Sequence, residues 1–136
     1  MSARRYAPLL LAAVAVLVVA CVARNPTDGL TAVPIADFKA VAGDWHGSVS
    51  GISAEHDDWV EVTVTPDGKF DFGSYRIVGL FGGTGSFTLS DGKLQMRGDR
   101  GSATIALYEG GTQRILEAKA TLSDGRQLTA YLTPKR

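Results

Sequence analysis

From Gly43 to the C-terminus the chain alternates apolar and polar residues with a period of two, the pattern of strands that bury one face. Val60, Val62 and Val64 fall on one face, and Trp59, Glu61 and Thr63 on the other. Phe70 and Phe72 flank Asp71, Phe87 and Leu89 flank Thr88, and Leu94 and Met96 flank Gln95. The alternation continues through Ala103, Ile105 and Leu107, through Leu116, Ala118, Ala120 and Leu122, and through Leu128, Ala130 and Leu132. Turn dipeptides punctuate it. Asp67-Gly68, Asp91-Gly92 and Asp124-Gly125 supply the positive φ angles of tight hairpins, and Gly110-Gly111 and Asp99-Arg100 mark two more turns. The segments between them, 45-51, 58-65, 69-75, 85-90, 93-98, 102-109, 113-122 and 126-133, predict eight strands in sequential order.

A meander of eight strands with one apolar face must curl shut or find a second sheet. Short consecutive hairpins favour an up-and-down barrel over a sandwich, which needs longer crossovers. Only the connections 51-58 and 74-85 are long. Gly43-Asp44-Trp45 at the start of the first strand resembles the Gly-x-Trp of lipocalin and avidin-like barrels, and the likeness covers the layout of residues 35-136. In those families the Trp plugs the closed end and a basic residue from the last strand packs over it. The resemblance therefore implies an all-β, lipocalin-like, eight-stranded antiparallel barrel, with Gly43, Trp45 and either Arg136 or Lys135 as the closing motif.

The N-terminus differs in kind. Arg4 and Arg5 precede an apolar run, Ala7 to Ala20, interrupted by Pro8. That run falls short of the roughly 20 residues that a bilayer-spanning helix needs, so residues 1-20 read as a signal peptide. It ends in Val18-Val19-Ala20-Cys21, which resembles the lipobox of bacterial lipoproteins. The resemblance implies diacylglyceryl transfer to the Cys21 thiol, cleavage before Cys21, and acylation of the freed amine. Membrane lipid then becomes the first partner, because two or three acyl chains anchor a protein that one chain would hold only marginally. Val22 stands where an Asp commonly marks inner-membrane retention, which implies the outer membrane, facing the periplasm. The alternatives are an uncleaved anchor and a plain secretory signal. Residues 21-34, with Asn25-Pro26, Asp28-Gly29 and Pro34, read as the lipidated Cys and a flexible tether; 35-136 form the barrel domain, and 35-42 allow one or two helical turns.

Composition sharpens this division. The 136 residues carry 14 basic and 14 acidic side chains, but removal of Arg4 and Arg5 with the signal peptide leaves 12 basic against 14 acidic. A slightly acidic domain argues against nucleic acid as a partner. The single Cys excludes an intrachain disulfide and a Cys-based zinc site.

Candidate chemistry is sparse. His46 points outward if Trp45 points inward, and Glu55-His56-Asp57-Asp58 matches no calcium or zinc loop spacing, so no metal is expected. Gly47-Ser48-Val49-Ser50-Gly51 has Val49 where a Gly-x-Ser-x-Gly elbow needs its nucleophile. The glycine-rich stretch 79-85 feeds a strand, leaving no helix N-terminus to cradle a phosphate. The expected interior holds no carboxylate pair and no His, the groups that general acid-base catalysis requires. The expectation is a protein that is not an enzyme and uses no cofactor.

Two functions remain. In the first, the barrel holds a small hydrophobic ligand: Ala103, Ala118, Ala120 and Ala130 leave room inside, Phe70, Phe72 and Phe87 line it, and Ile77, Leu80 and Phe81 gate the open end. In the second, a packed barrel serves as an envelope interaction or structural protein, or as an enzyme inhibitor, with Trp59, Tyr108 and Tyr131 as outward anchors. The sequence names no protein partner.

Overall fold

The alternating stretches fold into one antiparallel sheet that wraps almost completely around an apolar interior. The computed structural model describes residues 24–51, 58–74 and 83–136. In chain order the strands are β1 (Thr31–Val33), β2 (Gly43–Ser50), β3 (Asp58–Val64), β4 (Lys69–Ser74), β5 (Gly83–Ser86), β6 (Thr88–Ser90), β7 (Lys93–Gly98), β8 (Gly101–Gly110), β9 (Gln113–Leu122) and β10 (Gln127–Pro134). A 3-10 helix, Phe38–Val41, precedes β2.

Neighbours run in the order β5-β4-β3-β2-β10-β9-β8-β7-β6, with β1 on the edge of β8. The first and last strands of the meander are joined, since β10 pairs with β2 from Thr129↔Ser50 to Pro134↔Trp45. The two ends of the path, β5 and β6, are consecutive in the chain with only Phe87 between them. The wall is thus continued there by the chain itself, and the result is a nearly closed barrel. A two-sheet sandwich is not what forms.

Among the described residues ten strands replace the expected eight, for two local reasons. The segment expected at 85-90 begins at Gly83 and breaks at Phe87, where pairing passes from β4 to β7. The second addition is β1, which lies in the stretch expected to be flexible tether. Its register, Thr31↔Glu109 to Val33↔Leu107, extends the edge of β8 beyond the end of β7.

Turn chemistry explains how one end of the barrel is covered. Asp91 (φ 53°) and Gly92 (φ 71°) both adopt the left-handed conformation in the β6–β7 hairpin, as a two-residue type I′ turn demands. A Cβ on Gly92 would stand 2.9 Å from Pro34 Cβ, and one on Gly68 would stand 2.7 Å from the Phe38 ring. These two turns carry glycine so that the strap 34-41 can lie directly across them. The Ile35 amide donates to Gly92 O at 2.8 Å. Asp37 caps the short helix by accepting from Ala40 N at 3.1 Å. Beneath the strap Val41, Trp45, Leu94, Leu116 and Leu132 are all at or below 2% exposed, so this half of the interior is packed.

Candidate functional site

At the covered end, the last carbonyls of a helical turn have no partner within the helix and must find one outside. The barrel supplies both. Trp45 Nε1 donates to Val41 O at 2.9 Å, and Arg114 Nη2 donates to Ala40 O at 2.5 Å. Arg114 also donates from Nε to Glu109 Oε1 at 2.9 Å, its directly opposite neighbour across β8 and β9, and its guanidinium carbon lies 5.5 Å from the centre of the Trp45 ring. The aromatic face and the fixed cation attract each other.

The basic residue over Trp45 is therefore Arg114 and not Arg136. Pairing of the last strand ends at Pro134↔Trp45, and beyond it Lys135 N donates to Asp44 O at 2.8 Å while Lys135 Nζ reaches Glu61 at 3.0 Å. Arg136 is exposed. Gly43 begins β2 with φ +131° and keeps its place before the Trp. Period two would have identified Arg114, which shares a face with the fully inward Leu116.

The other half of the interior is built differently. Register sets Ala103 opposite Ala120 and Ala118 opposite Ala130, so β8, β9 and β10 present a patch of methyl groups. Phe70 and Phe87, next to the strapped turn at Gly68, bring their ring centres to 4.5 Å, and Phe72 lies 5.9 Å from Phe70. The three phenylalanines expected to line a ligand site are brought together. Phe72, Met96, Ala118, Ala120 and Leu122 are inward by the pleat yet remain partly exposed. Ala118 does so although its register neighbours Ile105 and Ala130 are 6% and 9% exposed.

One carboxylate also reaches the inner face. Asp58 lies opposite Val49 and on the Val60 face, and is 4% exposed; its Oδ1 accepts from Trp59 N at 2.7 Å. Its parity with the valines of β3 was visible in the sequence, where it was grouped with the acidic loop. Glu117, 7% exposed, sits on the outer face between Ala106 and Tyr131, with Lys119 Nζ at 3.3 Å. Outside, His46 and Trp59 meet edge to face with centres 5.2 Å apart, and Trp59 is 43% exposed. Cys21, Ile77, Leu80, Phe81 and His56 lie outside the described residues.

Fold and site together define an antiparallel meander barrel with one packed end. No protein-family model matches the sequence, and no curated protein matches it. Among solved structures it is similar to the zebrafish ileal bile acid-binding protein in complex with cholic acid, with a TM-score of 0.36 and 14% identity over 71% of this chain and 99% of that one. A likeness of that size says nothing of what this chain binds.

Proposed function

We propose that the protein is a membrane-anchored envelope lipoprotein whose barrel binds a small hydrophobic ligand and performs no catalysis. The observation that carries the binding reading is the contrast between the two halves of the interior. One end is filled by Trp45, Leu94, Leu116 and Leu132, all at or below 2% exposed. The other pairs alanine with alanine and leaves the inward-pointing Met96, Ala118, Ala120 and Leu122 partly exposed. Apolar surface kept wet inside a barrel is what a hydrophobic ligand would cover, at about 25 cal/mol gained per Å² removed from water. The anchoring reading rests on Val18-Val19-Ala20-Cys21 and on Val22 for the outer membrane. Native mass spectrometry of the protein purified from its own host tests the binding reading. A non-covalent mass excess that disappears on denaturation is expected; only the mass of the acylated chain would overturn it.

A second reading is favoured by one observation. Trp59 is the large hydrophobic residue that stays exposed among the described residues, edge to face with His46, and this exposure supports a role as anchor for a protein partner.

A further inference from the structure

The barrel wall is unzipped at one place. β5 takes its pairing from β4, from Lys69↔Ser86 to Phe72↔Gly83, while β6 takes its pairing from β7 and stops at Thr88↔Gln95. Continued upward, the β6–β7 register would set Phe87 against Met96, Ser86 against Arg97 and Gly85 against Gly98. Among the described residues none of these pairs forms. Phe87 N turns the other way and donates to Gly68 O at 2.7 Å, so the strand leaves β7 at that residue.

The sequence gives the reason. Side-chain pairs across neighbouring strands are what hold a sheet together on each face. Here both inner positions beyond Phe87 and Met96 are glycines, Gly85 and Gly98, with nothing to pack. The Phe70 ring occupies the space a Gly85 side chain would need, since a Cβ there would stand 2.7 Å from it; Gly83 lies beside Phe72 at 3.8 Å. Rings belonging to β4 thus stand where side chains bridging to β7 would lie. All four residues of β5 are exposed, including the inward Gly83 and Gly85. The slit has Thr84, Ser86 and Arg97 on its outer rim and Met96 and Phe72, both half-buried, on its inner one.

We propose that this slit between β5 and the upper half of β7 is the route by which an apolar ligand enters the barrel. The inference rests on the ligand-binding reading above. Passage there breaks no ladder hydrogen bond among the described residues, and the first apolar surface that the ligand meets is half-buried Phe72 beside Gly83 and the Phe70 ring that fills the space over Gly85.

The test uses the full chain carrying Cys21→Ser with Ser86→Cys and Arg97→Cys, two exposed outward positions that the continued β6–β7 register would set opposite each other. N-phenyl-1-naphthylamine is the probe, followed by stopped-flow fluorescence in the oxidised and reduced forms. Oxidation should slow both uptake and release by about tenfold or more while leaving affinity within about twofold, and reduction should restore both rates. Gly98→Val needs no oxidation and adds a side chain where the surroundings leave open space; it should slow the probe in the same way. Rates unchanged by both changes, with uptake intact, would overturn the slit and leave the binding reading standing. A parent protein that takes up no probe would overturn both.

Discussion

Trp45 and Arg114 meet face to cation at the covered end of the barrel, 5.5 Å apart, and each also donates a hydrogen bond to the strap that crosses them. Two side chains from strands far apart in sequence thereby fasten an N-terminal segment that has little regular structure of its own.

Removing the indole should therefore be among the most damaging single changes. Trp45→Ala empties a site only 2% exposed and strips Val41 O of its donor, and is expected to cost about 3–5 kcal/mol. Trp45→Phe keeps most of the volume and loses the hydrogen bond, at about 1–3 kcal/mol. Urea denaturation of both variants measures the difference.

Arg114→Leu preserves apolar packing while removing the bonds to Ala40 O and Glu109. The expected loss is about 1–3 kcal/mol, because the group is charged but its side chain is 39% exposed. Hydrogen exchange should show amides 35-42 opening first. Protection there equal to that of the parent would show that the strap is held by packing alone.

The strand pattern was largely legible. Period two placed Val60, Phe70, Leu94, Leu116 and Leu132 inside and Trp59 and His46 outside, and Asp-Gly pairs marked three of the turns. What escaped depends on registers between segments, which a single sequence does not encode. Thr31–Val33 becomes a strand because the lower edge of β8 outruns β7 and offers unpaired backbone. The break at Phe87 follows from glycines meeting across two strands, visible only once their register is known. Arg136 was sought over Trp45 because the last strand neighbours the first, but pairing stops at Pro134 and the gap is filled from β9. Phe70, Phe72 and Phe87 come together because each stands on the inward parity of its strand, and Asp58, which shares the parity of Val60, is buried with it.

Acid should reach the turn carboxyls of Asp67 and Asp124 later than ordinary aspartates. The hydroxyl of Thr65 donates to Asp67, and with Lys69 nearby holds its carboxyl below the usual value of 3.8; the amide and guanidinium of Arg126 do the same for Asp124. A carboxyl whose folded pKa is depressed contributes stability above its unfolded pKa and loses it as pH falls through the folded one. Carboxyl carbon shifts measured by NMR should therefore place both titrations below those of ordinary aspartates. Thr65→Val should return Asp67 towards 3.8 and leave Asp124 unmoved.

Replacing Cys21 by Ala should move the protein from washed membranes to the soluble fraction, since the acyl chains supply the attachment. Retention in the membrane pellet would contradict lipid anchoring.

Ala118→Phe decides between a ligand-holding and a packed barrel most directly, because the new ring must enter the interior between Ile105 and Ala130. If space for a ligand exists there, the variant should be as stable as the parent or more so, and uptake of N-phenyl-1-naphthylamine should be lost. A destabilisation of about 1–3 kcal/mol or more, the cost of overfilling a packed core, would contradict the account.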